Sequence, residues 1–145
     1  MRLSKQTEYG LRALVQLART GPRQYVQSRD LSKAESSPPK FLEAILLTLR
    51  RGGFLESKVG REGGYRLAKP PKEIRVGELI RRLEGRLTLK EEYSATDVSP
   101  GEIAVHLLNQ KLTDATDDVL DHLTLADLLD QANRAAALQQ QMYYI

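Results

Sequence analysis

The chain has 145 residues, a net charge of +3 and a mean hydropathy of −0.44, values that suit one compact soluble domain or a small domain with an oligomerisation arm. No apolar run exceeds a few residues and the start lacks the apolar stretch of a secretory leader, so neither a membrane span nor a signal peptide is expected. There is no cysteine, which excludes disulfides, a thiolate nucleophile and any cysteine-ligated metal or cluster; a cytoplasmic location fits. The charge is divided unevenly. Residues 1–72 carry fifteen Lys and Arg against six Asp and Glu, and residues 73–145 carry seven against thirteen. Because the basic half coincides with a folded pattern, it points to a polyanion-binding face.

In chain order, Ser4 is a plausible N-cap, and Leu11, Leu14, Val15 and Ala18 follow at helical spacing until Gly21-Pro22. Ser28 is expected to cap a short second helix with Leu31 and Ala34 inward. Ser36-Ser37-Pro38-Pro39 reads as a start signal in which serine caps and proline opens the first turn. The helix that follows buries Leu42, Ile45, Leu46 and Leu49 and stops at Gly52-Gly53. Three helices with tight connections, the third basic at its end through Arg50 and Arg51, predict a helix-turn-helix. Phe54–Lys58 and Tyr65–Leu67 then read as two short strands around a glycine-rich hairpin, Val59 to Gly64. A helix is predicted from about Val76 to Glu84, and residues 86–98 are expected to be loop. Ser99-Pro100-Gly101-Glu102 is a capping box. Behind it Val105, Leu108, Leu112, Ala115 and Val119 form a heptad seam, the spacing by which one helix packs along another. Thr124 to Asp127 caps a further short helix through Leu129, and residues 133–145 are a tail that either continues as helix or frays.

This pattern predicts a mainly α protein with a small β wing: a winged helix-turn-helix over residues 1–85, a loop over 86–98, a dimerisation helix and short helix over 99–132, and the tail. The third helix of such a motif fits the major groove of a duplex, and residues near its start reach base edges. The candidates are Ser37, Pro39, Lys40, Phe41 and Glu43, with Arg2, Arg50 and Arg51 as supporting contacts. Lys40 suits phosphate or guanine, and Glu43 can accept from a cytosine amino group. Phe41 either touches a thymine methyl or packs into the core. The hairpin makes sense as a wing in which Lys58 or Arg61 reaches phosphates or the minor groove beside Gly60, Gly63 and Gly64; a solvated loop-tip charge is the plainer alternative for Arg61. Enzyme chemistry finds no support, since no nucleophile elbow, phosphate loop or dinucleotide glycine pattern occurs. His106 and His122 are expected to be structural, and Glu91, Glu92, Asp97 and Glu102 with His106 to be a solvated acidic group rather than a cation site.

The segments Met1-Arg2-Leu3-Ser4, Tyr9 to Leu14, Pro39 to Glu43, Gly60 to Tyr65, Val76 to Ile80 and Leu123 to Leu129 closely resemble the IscR/NsrR/CymR (Rrf-two) family of bacterial winged-helix regulators. The likeness runs from Met1 to about Leu129. It implies a homodimer on a roughly palindromic operator, with the helix from about Pro100 to Asp121 packed against its partner copy and half-sites one or more turns of about 34–36 Å apart. Many members hold an iron–sulfur cluster on three cysteines. The matching positions here are about Glu91, Asp97 and Ile103, so no such cofactor is expected. Val59 stands where the family often has arginine, which implies an altered sequence preference. The expected partners are therefore double-stranded DNA, a second copy of the chain and a regulatory partner protein, with no membrane. The loop over residues 86–98 and Gln139 to Ile145 are the candidate docking surfaces for that regulatory protein. Repression is the expected mode, because occluding an operator needs only binding. The competing class is a winged-helix interaction module that never touches DNA.

Overall fold

Ser4 accepts a hydrogen bond from the Thr7 amide at 3.3 Å and so starts α1 (Lys5–Thr20) in the computed structural model, which describes residues 2–85 and 98–143. The inward stripe of α1 is Thr7, Gly10, Leu14 and Leu17, with Ala13 beside it; of the expected stripe, Leu11, Val15 and Ala18 are only partly buried. Gly10 turns the helix this way. A Cβ there would lie 2.8 Å from Leu83 and 3.2 Å from Ile45, so the bare glycine face is what lets two other helices come close.

The second helix, α2 (Ser28–Ala34), is capped at Gln27 rather than at Ser28, and Ala34 is exposed. Ser32 points inward instead, because it holds the following turn from both ends. Its carbonyl accepts from the Ser37 amide at 3.0 Å, and its hydroxyl donates to the Ser37 carbonyl at 2.5 Å. Helix α3 (Pro39–Arg51) opens with Pro39 after Pro38, without a side-chain cap. The serine cap expected from Ser36 and Ser37 does not form, since Ser36 takes the left-handed turn (φ 50°) and Ser37 is buried. Leu42, Ile45, Leu46 and Leu49 are buried as their spacing predicts. At the far end the Phe54 amide donates to the Leu49 carbonyl and the Gly53 amide to the Arg50 carbonyl, both at 3.0 Å, with Gly53 at φ 82°. This six-to-one and five-to-two pairing ends the helix and places Phe54 in the core on Leu49.

Strands β1 (Leu55–Lys58) and β2 (Gly64–Leu67) pair antiparallel with Leu55 opposite Leu67 and Lys58 opposite Gly64. A 3₁₀ turn (Pro71–Glu73) leads into α4 (Val76–Glu84), whose inward residues Val76, Leu79, Ile80 and Leu83 match the sequence pattern. Helix α5 (Pro100–Asp121) opens on the expected capping box. Ser99 Oγ accepts from the Glu102 amide at 3.2 Å, and Glu102 accepts from the Ser99 amide at 2.9 Å. Helix α6 (Leu125–Tyr143) starts on the reciprocal pair Thr124 and Asp127. It is one helix of 19 residues, longer than the short helix expected, and of the two alternatives for the following residues it is continuation as helix that is seen, as far as Tyr143. Gln131 to Met142 contains only good helix formers and Asn133, with neither glycine nor proline to stop it. The loop expected over 86–98 lies, save for Val98, outside the described residues.

The main core joins α1, α3 and α4 with Leu31, Phe54, Leu55, Leu67, Ile74 and Leu125. A smaller cluster of Val76, Ile80 and Leu120, flanked by Leu123 and Leu128, docks the end of α5 on α4. Arg81 reinforces that joint by pairing with Asp121 at 2.9 Å and Asp117 at 3.3 Å. No described helix is long and apolar enough to cross a membrane.

Glu84 ties the end of α4 to the start of α1 by accepting from the Ser4 amide at 2.7 Å. Hydrogen bonding from the Ser4 side chain, then from Thr7 and the Ser4 backbone, holds its carboxyl below the ordinary value of 4.5. A carboxyl lowered in the folded chain stabilises it above the unfolded value, and that contribution disappears as pH falls through the lowered one. Thermal denaturation of Glu84→Gln below pH 4.5 is expected to show a weaker dependence on acid than the parent chain, while above that pH the variant is the less stable of the two.

Candidate nucleic-acid interface

The burial of Leu42, Ile45, Leu46 and Leu49 turns the opposite side of α3 outward. Pro39, Lys40, Phe41 and Glu43 stand exposed on its first turns, and Arg50 and Arg51 at its end. Among the described residues Lys40, Glu43 and Arg51 have no ion-pair or hydrogen-bond partner for their charged groups. Arg50 is tied instead to the wing, donating to Ser57 Oγ at 3.0 Å. Phe41 stands between the two alternatives considered for it in its burial: 37% of it is exposed, and its ring meets Tyr9 edge-to-face at 5.8 Å. Tyr9 in turn carries Arg12 over its ring at 5.4 Å, and Arg12 pairs with Glu35 at 3.0 Å.

Ser37 differs from its sequence assignment to a base-reading position. It is 7% exposed, and its hydroxyl has no hydrogen-bond partner among the described residues. The bonds from Ser32 to its backbone hold it beneath the helix start, so its surroundings are those of a turn residue. Arg2 is exposed at the beginning of the chain, beside the α1 cap.

The wing projects Lys58, Gly60 and Arg61 into solvent. Its other glycines meet protein backbone. A Cβ on Gly63 would lie 2.1 Å from the Lys58 carbonyl oxygen, and one on Gly64 would lie 2.2 Å from that of Val26. The reason for the second contact is a bridge to the body of the domain: Val26 and Tyr65 exchange amide-to-carbonyl bonds, both at 2.8 Å. Tyr25 lies against the same strands, with Arg66 over its ring at 4.5 Å and Lys58 at 5.9 Å. Sequence reading missed Arg12, Tyr25, Gln27, Ser32 and Ser57. Ser32 and Ser57 belong to no apolar period, and the others act through partners far away in the chain.

On α5 the predicted seam is open to solvent, with Val105 59%, Leu108 57%, Leu112 47% and Val119 62% exposed and Ala115 exposed beside them. Ile103, at the position matched to a cluster ligand, is an exposed hydrocarbon side chain on the same helix. It cannot ligate iron, and the chain has no cysteine, so its residues do not fit a cysteine-held cluster. Among the described residues no three His, Asp or Glu converge as a metal site; Glu91, Glu92 and Asp97 lie outside them.

Helix-turn-helix, two-stranded wing and long following helix together define a winged helix-turn-helix regulator. The chain belongs to the Rrf2 family, described as iron-dependent transcriptional regulators, which it matches over residues 3–131. It is 35% identical over 133 residues to the HTH-type transcriptional regulator NsrR of Bacillus licheniformis, covering 89% of this chain and 92% of that one. Among solved structures it is similar to CymR, the global cysteine regulator of B. subtilis, with a TM-score of 0.76 and 28% identity over 90% of this chain and 98% of that one. It is also similar to IscR of T. potens, with a TM-score of 0.75 and 31% identity over 93% and 90% of the two chains.

Gly60 and Gly64 separate the two costs of a wing side chain. Both have positive φ (114° and 132°), but a Cβ at Gly60 meets nothing within 4 Å. Gly60→Ala is expected to cost about 1 kcal/mol of stability from backbone conformation alone. Gly64→Ala, which also strikes Val26, is expected to cost clearly more. Denaturant midpoints of the two variants measure the difference.

Proposed function

We propose that this chain is a sequence-specific DNA-binding repressor that occupies a palindromic operator as a cytoplasmic homodimer, without catalysis and without an iron–sulfur cluster. The observation that carries the reading is the division of α3, whose apolar side is locked in the core while Lys40, Phe41 and Glu43 face outward and Arg50 at its end is tied to the wing. In this reading Lys40 and Glu43 read base edges, and Pro39 sets the angle at which the helix start enters the groove. Arg2, Arg51, Lys58 and Arg61 meet the sugar–phosphate path, Arg61 from beside Gly60 at the wing tip. Arg50 braces the wing against the helix end. The exposed Val105, Leu108, Leu112, Ala115 and Val119 seam supports the dimer, since a stripe of this kind on a helix with only Leu120 buried calls for a second helix along it.

Selection of bound fragments from the source genome is expected to return an enriched, two-fold-related motif. Binding to it falls steeply with salt, log K losing about 0.9 per phosphate contact for each tenfold rise. Lys40→Ala and Glu43→Ala change the motif, each costing about 1–3 kcal/mol of discrimination at one position, whereas Arg61→Ala weakens all sequences and lowers the salt slope by about 1. No enriched motif and no salt dependence would reject the reading. In sedimentation the chain is expected at about twice its 16.3 kDa mass. Leu108→Glu with Leu112→Glu should move it to the single-chain mass, because two carboxylates would be buried in the seam.

A second reading, an interaction module that acts through a regulatory protein, draws on the last turns of α6. There Leu138, Met142 and Tyr143 are 62%, 77% and 89% exposed. Loss of partner capture on deleting residues 139–145, with no duplex binding by the full chain, would favour it.

A further inference from the structure

The wing is joined to the start of α2 at three points, and one of them reaches its tip. Val26 pairs with Tyr65 through two 2.8 Å bonds, and Tyr25 stacks under Arg66 at 4.5 Å with Lys58 further out. Gln27 then sends its side chain across the hairpin, where Nε2 donates to the carbonyl oxygen of Arg61 at 2.7 Å. The other end of the same amide accepts from Arg29 Nη2 at 3.2 Å, which fixes which way the amide faces. Gln27 is also the N-cap residue of α2, so its backbone is fixed by the helix that supports the helix-turn-helix. Its carbonyl accepts from the Asp30 and Leu31 amides at 3.0 and 3.1 Å.

A two-stranded hairpin is flexible by itself, and its loop of residues 59–63 has few restraints of its own. Within it the Gly63 amide donates to the Gly60 carbonyl at 3.0 Å, closing the turn. The Gln27 bond is the contact that refers this turn to the body of the domain. It acts on the backbone of the residue whose guanidinium is free in solvent, and so it sets where that cation points without occupying it.

We infer that Gln27 is a wing-positioning residue. It holds the Arg61 carbonyl so that the Arg61 side chain is presented to duplex DNA in fixed register with α3. The inference rests on the DNA-binding reading above and adds to it a residue outside both the recognition helix and the wing. Preorganising a charged loop removes the ordering cost that binding would otherwise meet. A donor from α2 also couples the placement of the wing to that of the helix-turn-helix, so the two elements contact one duplex as a single body.

The test is a double-mutant cycle on the full-length protein, with the tightest duplex recovered from genomic selection as probe and affinity measured at several salt concentrations. Gln27→Glu keeps the size of the side chain but removes the donor and sets a carboxylate against a carbonyl; Gln27→Ala removes the side chain altogether. Each is expected to weaken binding about threefold to tenfold, the range of one lost hydrogen bond. In an Arg61→Ala background, where the Arg61 carbonyl remains but the guanidinium is gone, most of that loss should vanish. Melting temperatures near that of the parent accompany the result, because the bond is at the surface.

If Gln27 served only to hold α2 together, its loss would add to that of Arg61→Ala instead of disappearing into it. Additive losses, Gln27 variants that bind like the parent, or an Arg61→Ala variant with unchanged affinity each overturn the inference while leaving the DNA reading in place. A parent chain that shows no salt-dependent duplex binding overturns the DNA reading, and the inference falls with it.

Discussion

The structure depends on one face of α3 being given wholly to the core. Leu42, Ile45, Leu46 and Leu49 are each at most 1% exposed, packed on α1, and burying four such side chains contributes of order 1.5–3 kcal/mol each. A helix anchored so firmly on one side can leave its other side free of internal partners. Unpaired Lys40 and Glu43 carry little penalty there, since water solvates both. The Gly53 ending and the Pro39 start then set the length of the rigid rod, and Phe54, the residue that completes the ending, becomes the first residue of the wing's inner layer.

From that anchor the remaining elements follow by close approach. Gly10 lets α1 come near enough to α3 and α4 to fill the core with leucine. Gly77 does the same for α4 and the end of α5, where a Cβ would meet the Leu120 carbonyl at 3.0 Å. Gly64 lets the Val26 segment lie across β2. Gly64 and Gly77 mark places where two backbones touch, and Gly10 one where side chains of α3 and α4 press on a backbone. For Gly64 this accounts for its position without any appeal to DNA, although it stands within a wing that sequence reading assigns to DNA contact.

Beyond this body the described chain changes character. Among the described residues, helix α5 is held to the domain near its end by Leu120, the Arg81 pairs and the bond from Arg75 to the Asp121 carbonyl, and its apolar stripe is open. Helix α6 is pinned at Leu125, whose amide donates to the Ile74 carbonyl at 2.8 Å, and its residues from Gln131 to Tyr143 are exposed. An amphipathic stripe on an extended helix makes sense if the assembled protein is larger than one chain, and the acidic second half of the sequence keeps such an arm soluble.

By itself the sequence determined the elements whose signals are local. Spacing located the buried faces of α3 and α4, and the capping boxes located the starts of α5 and α6. Glycine and proline located the breaks, and the lack of cysteine excluded a cysteine-held cluster. Each of these is a property of residues within a few positions of one another. Tertiary structure alone decided which stripe of α1 faces inward, because Gly10 and Thr7 bury well yet carry no apolar signal. It decided that Ser37 turns in, through Ser32. It also decided that Gln27 and Tyr25 serve the wing, since their partners are 34 and 41 residues away in the chain. A hydrogen bond between a glutamine amide and a distant backbone carbonyl leaves no period and no spacing to read. It exists only once packing has brought the two segments together.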